Sequence, residues 1–294
     1  MGKFTERQKE LRAKRIGSSE IAAVFGISPW MTAFDLWLTK TGQVIDVDDE
    51  KAWMTAGNHF EQGVLAFATE QLGPLRRNQF RVVPDLPLSA TTDALVISTG
   101  NPVEAKTTGL YGPVKDIWGD EGTDQIPDYY NLQCQVHLMA TGKEVCHVPA
   151  FIGGRGFCMF TVKAHPKLQA IIGNKAKEFW NNYVVPKVAP PDSLASLSVL
   201  KRVIRTPKKV VDVSSDLVSE WQAANAAKND AIKEADEMKA QVIQAMGDAE
   251  AGILEGEEGP QAITYFSTER SGYTVKPSVV RTLQYLKKGL PKGM

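Results

Sequence analysis

The order of helical and strand-like patterns between residues 15 and 191 constrains the fold more than any other feature of this sequence. Helical periodicity dominates the first part of this region, short strand-like runs follow, and a helix, a β-hairpin and a closing helix complete it. The predicted helices cover residues 18–25, 33–41, 53–72, 127–141 and 165–185, and the predicted strands cover 80–83, 88–92, 94–98, 102–107, 145–152 and 157–162. This alternation is typical of an α/β or α+β core.

The remaining part of the chain, residues 192–294, has a different character. Residues 215–246 predict a long, alanine-rich and charged helix, which is typical of a solvated arm or of half a helical hairpin. Residues 263–266 and 273–276 predict a short β-hairpin, and the tail after Pro277 is basic. We therefore predict a main domain over residues 1–191 and a C-terminal extension over residues 192–294.

The strongest chemical pattern is Asp93 followed, after ten residues, by Glu104-Ala105-Lys106. Glu104 and Lys106 are two residues apart in a predicted strand, so they project from the same face. Two carboxylates on adjacent strands suit Mg²⁺ or Mn²⁺ better than zinc, and the Ala105 carbonyl can supply a further ligand. Lys106 can orient a water whose pKa the metal lowers. The pattern predicts a metal-dependent site for phosphodiester hydrolysis, although the same spacing also occurs on solvated strand faces.

Three further polar residues lie on predicted helices among apolar neighbours. Glu61 shares a helical stripe with apolar residues, where a carboxylate is costly unless it is paired or bound to a metal. The alternative is a glutamate at the helix boundary that reaches solvent. Gln133 and Gln135 lie in the helix predicted at residues 127–141, where an inward amide can bond the catalytic lysine or a phosphate. The alternative is an ordinary core or surface glutamine.

A candidate anion site lies near the N-terminus, where Arg15 precedes Gly17-Ser18-Ser19 at the start of a predicted helix. Backbone N–H groups at a helix N-terminus bind anions, and an adjacent guanidinium strengthens the site. A terminal DNA phosphate would fit there. The alternative is an ordinary helix cap beside a surface arginine.

Composition sets limits on these hypotheses. The 34 basic and 34 acidic residues balance, which argues against a non-specific nucleic-acid coat but not against a metal-dependent enzyme. No run approaches the roughly 20 apolar residues that cross a bilayer, and the N-terminus has no secretory apolar segment. Cys134, Cys146 and Cys158 lack the close pairs of zinc sites. We expect free thiols, a cytoplasmic location in a bacterial or phage-infected cell, and no membrane partner.

The order and spacing of short motifs resemble the YqaJ-like viral recombinase family, the phage lambda exonuclease-like branch of the PD-(D/E)XK nucleases. Seven motifs in the same order, spread over residues 15–191, make the resemblance specific. They are Arg15 to Trp30 with Leu36-Trp37 and Lys40-Thr41-Gly42, Gly57 to Glu61, Ala90 to Asp93, Val103 to Thr107, Gln133 to Gly142, Phe151 to Gly154, and Phe179-Trp180 to Pro186. One departure is Thr92-Asp93 in place of the family's Pro-Asp, where proline contributes backbone shape and no ligand.

The resemblance implies a restriction-endonuclease-like core, a mixed central β-sheet flanked by helices. It also implies Mg²⁺-dependent, processive digestion of one strand from a duplex 5′ end, which leaves 3′ single strands for recombination. The implied roles are metal binding by Asp93 and Glu104 with help from Glu61, water orientation by Lys106, support by Gln133 or Gln135, and 5′-phosphate binding by Arg15 with Ser18 and Ser19.

The expected partners are double-stranded DNA ends, further copies of the chain in an oligomer such as a ring trimer, and a phage single-strand annealing protein. An alternative within the superfamily is a structure-specific or restriction-like endonuclease with the same metal site. The related iron–sulphur nucleases need four clustered cysteines, which three widely spaced ones do not provide. An alternative of another class is a non-catalytic module that recruits the annealing protein. The intact Asp93, Glu104 and Lys106 argue against it.

Overall fold

The computed structural model of this protein describes residues 6–45, 52–109, 118–191, 193–256 and 259–265. The chain forms two compact units, Met1–Arg205 and Thr206–Met294. This boundary lies later than the predicted one after Pro191, because the next described residues still bond to the first unit. The Ser196 N–H, for example, donates to Asp35 Oδ1 at 2.8 Å.

The first unit combines helices and strands in the predicted order. Its helices are α1 (Glu6–Ala13), α2 (Ile21–Val24, after a 3₁₀ turn at Ser18–Glu20), α3 (Ala33–Lys40), α4 (Ala52–Leu72), α5 (Asp128–Thr141), α6 (Pro166–Phe179, continued by a π-helical turn at Trp180–Val184) and α7 (Leu197–Leu200). Its strands are β1 (Ile16–Gly17), β2 (Leu75–Val82), β3 (Leu88–Val96), β4 (Pro102–Val103), β5 (Lys106–Thr108), β6 (Val145–Ile152) and β7 (Gly156–Lys163).

These strands form one mixed seven-stranded sheet. Strand β3 pairs in parallel with β1 and antiparallel with β2 and β4. Strand β6 pairs in parallel with β4 and β5 and antiparallel with β7. Strand β3 is continuous where the sequence predicts two strands, at residues 88–92 and 94–98, because no turn separates them.

Helices α4 and α5 cover opposite faces of this sheet. Successive residues of a strand point to opposite faces, and neighbouring residues of β6 show this directly. Ala150 is buried in an apolar cluster with Leu138 of α5. Phe151 stacks on Phe60 of α4, with ring centroids 5.7 Å apart. The predicted mixed sheet flanked by helices is confirmed.

The strand predicted at residues 102–107 is interrupted at Glu104 and Ala105, which lie between β4 and β5. The Glu104 N–H donates to the His147 carbonyl of β6 at 2.9 Å, but the Ala105 N–H donates to Asp93 Oδ2 at 2.8 Å. A carboxylate therefore takes a backbone hydrogen bond that a neighbouring strand would otherwise supply. This break brings the loop between β4 and β5 onto Asp93.

The second unit consists, in its described part, of α8 (Ser215–Met246), β8 (Ala251–Gly256) and β9 (Gly259–Thr264). None of the side chains of α8 is buried, as its charged composition predicts. The hairpin prediction was wrong in register, because residues 259–264 form the second strand and pair with 251–256. Glycines at both ends of the connection favour that earlier turn. Residues 266–294, with the predicted 273–276 strand and the basic tail, lie outside the described residues.

Two other features bear on the expectations from composition. Cys134, Cys146 and Cys158 are buried and carry free thiols. In the described portion of the chain, no helix combines the length and the hydropathy that crossing a membrane requires.

Candidate active site

The sheet and α5 bring Asp93, Glu104, Lys106 and Gln133 into one cluster. Asp93 lies on β3, Glu104 in the break between β4 and β5, and Lys106 at the start of β5. Asp93 is 7% exposed and Glu104 is 4% exposed, so both carboxylates are almost entirely withdrawn from water. Such burial is costly unless the charges are paired, and the cluster pairs Glu104 more fully than Asp93.

Glu104 is the centre of this pairing. Its Oε1 accepts hydrogen bonds from Lys106 Nζ at 2.7 Å and from Gln133 Nε2 at 2.6 Å. Gln133 Oε1 in turn accepts a hydrogen bond from Lys106 Nζ at 3.1 Å. The amide thus bonds to both members of the ion pair and fixes their relative position. Glu104 and Lys106 face the same helix, as their spacing predicts.

The other oxygen of Glu104 faces a histidine that the sequence analysis missed. His137 Nε2 lies 2.9 Å from Glu104 Oε2, and the His137 side chain is fully buried. The contact is short, yet its angles do not form a hydrogen bond, so Glu104 Oε2 and both ring nitrogens have no hydrogen-bond partner among the described residues. Glu104 Oε2 is therefore a buried carboxylate oxygen that could accept a cation.

Helix α5 presents these groups as one stripe. Tyr130, Gln133 and His137 are three and four residues apart, so they lie on one face of the helix. Lys106 Nζ lies 4.4 Å from the centroid of the Tyr130 ring, within reach of a cation–π interaction. The 3.6-residue period selects Tyr130 and His137 once Gln133 is chosen, and this signal could have identified both residues from the sequence.

The ion pair is charged in the folded protein. Burial alone would raise the pKa of Glu104, but the positive charge of Lys106 and the neighbouring His137 outweigh it and lower that pKa to about 2. Burial opposes the charged form of Lys106 as well, yet the carboxylates of Glu104 and Asp93 hold its pKa above the usual range. Lys106 therefore keeps its proton at neutral pH and acts as a cation, not as a base.

Asp93 has the opposite electrostatic character. Burial is the main cause that raises the pKa of its carboxyl well above the ordinary value, and repulsion from Glu104 and Glu61 raises it further. Lys106 and the N–H of Ala105 compensate only in part. Ionisation of Asp93 therefore costs free energy in the folded protein, and a bound cation would lower this cost.

The donor set of this cluster fits Mg²⁺. Asp93 offers a carboxylate whose negative charge is undercompensated, and Glu104 Oε2 is a buried oxygen without a hydrogen bond in the described structure. The described residues contain no group of three histidine, cysteine or acidic side chains arranged around one metal position. Mg²⁺ does not need such a group, because it commonly takes one or two carboxylates and completes its shell with water and substrate phosphates.

The structure separates the two remaining candidates, Glu61 and Gln135. Glu61 is half-buried on α4 and lies close enough to Asp93 to raise its pKa. Gln135 is not brought to the cluster. Its Nε2 donates to the Lys163 carbonyl at 2.9 Å, and its Oε1 accepts from the His165 N–H at 3.0 Å. Two residues along a helix turn by about 200°, so Gln133 and Gln135 face opposite directions.

The candidate phosphate site lies beside the same central strand. Gly17 of β1 pairs with Ser89 of β3, and the parallel direction carries Ser18 and Ser19 towards the level of Asp93. Ser89 and Asp93 are four residues apart, which corresponds to about 13 Å along a strand. Ser18 is buried, whereas Ser19 is exposed.

Local hydrogen bonds already engage part of that site. The Gly17 N–H donates to Glu20 Oε2 at 2.6 Å, and Glu20 pairs with Lys40 at 2.7 Å. Arg15 Nη1 donates to the Leu11 carbonyl at 3.3 Å. Phosphate binding by Arg15 and the two serines therefore stays a prediction.

Comparison with known proteins gives a family for this arrangement. Residues 8–144 match the family model of the YqaJ-like viral recombinase domain. The uncharacterized protein YqaJ of Bacillus subtilis (strain 168) is 28% identical over 255 residues, which cover 83% of this chain and 78% of that protein.

Two solved structures share a weaker likeness. The alkaline exonuclease LHK-Exo of Laribacter hongkongensis is 16% identical, with a TM-score of 0.48, over 63% of this chain and 94% of that one. A phage-related exonuclease of Haemophilus somnus 129PT is 11% identical, with a TM-score of 0.40, over 59% of this chain and 96% of that one.

The family match includes the whole cluster described above. Asp93, Glu104, Lys106 and Gln133 all lie within the matched residues 8–144, and so does the candidate phosphate site. The family that the motifs indicate is confirmed. Residues 8–144, a little under half of the chain, match the YqaJ-like viral recombinase domain, the family that the motifs resemble.

Proposed function

We propose that this protein is a Mg²⁺-dependent DNA exonuclease that hydrolyses one strand of linear duplex DNA. The observation that carries the proposal is the buried cluster in which Lys106 Nζ lies 2.7 Å from Glu104, beside the strained carboxylate of Asp93. A cation bound between buried carboxylates, with a fixed ammonium beside it, suits the negative charge of a phosphodiester under attack. The match of residues 8–144 to a viral recombinase domain supports DNA as the substrate.

Asp93 and Glu104 would hold the metal, with the Ala105 carbonyl as a further ligand and Glu61 as a more distant carboxylate. When bound, Mg²⁺, or Mn²⁺ in its place, neutralises phosphate charge and lowers the pKa of water in its shell. Lys106 keeps its proton, so its part is to orient a water by hydrogen bonding and to stabilise negative charge on the phosphate. Gln133 holds Lys106 and Glu104 in register for that task.

We extend the proposal to the end of the substrate. Arg15, Ser18 and Ser19 would bind a 5′ phosphate beside β1, and digestion would then run 5′→3′ and leave 3′ single strands for recombination. An oligomer that encircles the duplex would make digestion processive. The second unit, or another surface, would recruit a single-strand annealing protein.

Digestion of linear and circular DNA tests the core of the proposal. The wild-type protein is incubated with Mg²⁺ and either an end-labelled duplex with 5′ phosphates or a covalently closed circle. Progressive loss of the 5′ label from the linear duplex, with the circle intact, is the expected result. Nicking of the circle would favour an endonuclease instead. DNA binding without hydrolysis of either substrate would leave only the recruitment function.

The Arg15→Ala variant tests the proposed polarity. We expect it to lose roughly ten- to a hundredfold in rate on 5′-phosphorylated ends and little on 5′-hydroxyl ends, because a charge-assisted hydrogen bond contributes about 1.5–3 kcal/mol. Arg205→Ala is the matched control, since Arg205 also bonds a backbone carbonyl at the surface. An equal loss on both kinds of end would remove Arg15 from the phosphate site.

A further inference from the structure

We propose that Trp30, supported by Tyr129 and Tyr130, forms a stacking site for a nucleobase of the substrate strand next to the catalytic cluster. This inference rests on the proposed nuclease function. The catalytic cluster would bind the phosphate of a nucleotide, and Trp30 would bind its base.

Trp30 is unusually open to solvent for its residue type. It is 56% exposed in the segment between α2 and α3, whereas Trp37 is 7% exposed and Trp118 is 5% exposed. Among the tryptophans whose side chains the structure describes, it is the most exposed. The backbone N–H of Trp30 donates a hydrogen bond to Ser28 Oγ at 3.3 Å, which holds the backbone of this segment. More than half of a large aromatic surface thus remains available for a ligand.

The indole does not project freely into solvent, because two tyrosines of α5 hold it. Its ring centroid lies 5.2 Å from that of Tyr129 in an edge-to-face arrangement and 5.9 Å from that of Tyr130. The two tyrosine rings are 4.5 Å apart. Contacts of this kind orient an aromatic ring before a ligand binds. They therefore reduce the side-chain entropy that would otherwise be lost when a ligand stacks on the ring.

The same rings connect Trp30 to the catalytic lysine. Tyr130 lies 4.4 Å below Lys106 Nζ and 5.9 Å from the Trp30 ring, so the indole lies no farther than about 10 Å from that ammonium. Tyr130 also shares its helix stripe with Gln133, which holds Glu104. A nucleotide with its phosphate at Lys106 would therefore carry its base towards Trp30.

A nucleobase fits this surface better than a protein partner does. The ligand must place an aromatic face on an indole and a negative charge on a neighbouring ammonium, and a nucleotide combines both groups. Stacking accepts any base, which suits digestion without sequence preference. The exposed part of a single indole is far smaller than the roughly 1,000 Å² that a stable protein interface buries.

The test combines protein variants with DNA that lacks single bases. A 5′-phosphorylated duplex is prepared intact and with an abasic residue at the first, second or third position of the strand to be cut. Binding to wild type, Trp30→Ala and Trp30→Phe is measured by fluorescence anisotropy without added divalent metal, so that the strand stays uncut. Hydrolysis with Mg²⁺ is measured in parallel. Trp221→Ala, which removes a 37% exposed indole from the second unit, is the matched control.

We expect Trp30→Ala to bind the intact end roughly ten- to a hundredfold more weakly, and Trp30→Phe to retain most of the affinity. Loss of one particular base should weaken binding to wild type by a similar factor and should weaken binding to Trp30→Ala little further. If the missing base weakened binding to Trp30→Ala by the same factor as binding to wild type, the stacking site would be overturned. Wild-type affinity of Trp30→Ala for the intact end would overturn it as well. Wild type that neither binds nor cuts the intact duplex would overturn the nuclease function itself.

Discussion

Helix α5 carries two buried glutamines two residues apart. One bonds to charged side chains and the other to neutral backbone groups, so the two illustrate different uses of a polar core residue. Gln133 is 7% exposed and bonds to the ion pair of Glu104 and Lys106. Gln135 is 1% exposed and bonds to the Lys163 carbonyl and the His165 N–H, which are neutral backbone groups. Burial is nearly equal on the two faces of the helix, but the charge of the partners differs.

On the proposed function, this difference gives one face of α5 a catalytic role and the other a structural one. The partners of Gln135 close the junction of β7 with α6, and a third bond runs from Gln169 Nε2 to Gln135 Oε1 at 3.1 Å. These bonds form once on folding and do not change with substrate. The partners of Gln133 carry charges that a metal ion and a phosphate would rearrange. A buried polar residue is therefore best interpreted through the charge of its partners.

The largest effect should come from Lys106→Ala, which removes the cation from the catalytic face. We expect kcat for hydrolysis of linear duplex to fall by about a hundredfold to a thousandfold, the range typical when one fixed donor to the developing negative charge is removed. DNA binding, measured by anisotropy, should change little. Lys163→Ala, an exposed lysine of β7, should retain full activity as the control.

Loss of stability must be separated from loss of chemistry in that variant. Removing Lys106 leaves Glu104 buried without its main counter-charge, which costs about 3–5 kcal/mol in comparable pairs. The double variant Lys106→Ala with Glu104→Gln removes both charges, so it should unfold at a higher temperature than Lys106→Ala and remain inactive. Full activity in either variant would rule out Lys106 as the group that positions water.

The second prediction tests the two faces directly with Gln133→Ala and Gln135→Ala. We expect Gln135→Ala to lose about 1–3 kcal/mol of unfolding free energy, because it leaves buried backbone groups without partners, and to keep its kcat when folded. Gln133→Ala should lose roughly tenfold to a hundredfold in kcat, with KM for DNA nearly unchanged, because Lys106 is no longer held. Denaturant unfolding and steady-state kinetics measure the two quantities. The reverse pattern would break the comparison.

The sequence carried enough information for the elements and for the reactive groups. Glycine stops and apolar periodicity predicted the helices that became α4 and α5, and α8 matches its predicted residues 215–246. The short separation of Asp93 from Glu104 and Lys106 in the sequence predicted that the three come together, and β4, which pairs with β3, leads directly into Glu104. Both signals are local in the chain, so they can be interpreted without coordinates.

What the sequence did not predict depends on tertiary contacts. The break at Glu104 and Ala105 exists because a side chain from β3 takes a backbone hydrogen bond, and no local propensity encodes that exchange. His137 lies among apolar residues of α5 and is distinguished only by Glu104 across from it. Gln135 was assigned to the site without applying the helical period that directs it away.

The smallest effect on stability, and the sharpest contrast with Gln135, should come from Asp93→Asn. The folded-state pKa of Asp93 is raised, so ionising it costs stability, and this cost grows as pH rises from the ordinary value of 3.8. The amide keeps an oxygen for the Ala105 N–H but carries no charge. We therefore expect the variant to be inactive and yet to unfold a few degrees higher than wild type at neutral pH without metal. Below pH 3.8 the difference should vanish, because Asp93 of the wild type is then protonated.

Addition of Mg²⁺ should reverse that order. A cation that binds the folded state at a hundred times its Kd stabilises it by about 2.7 kcal/mol, and it needs the ionised Asp93 to do so. Thermal unfolding of wild type should therefore shift upward with Mg²⁺, while Asp93→Asn should respond weakly and Gln135→Ala should shift as far as wild type does. A metal-free wild type already more stable than Asp93→Asn would contradict the strained carboxylate. An equal shift of the unfolding temperature with Mg²⁺ in wild type and Asp93→Asn would place the metal away from Asp93. The face of α5 that carries Gln133 would then lie beside no metal site, and the proposed difference from the face of Gln135 would be lost.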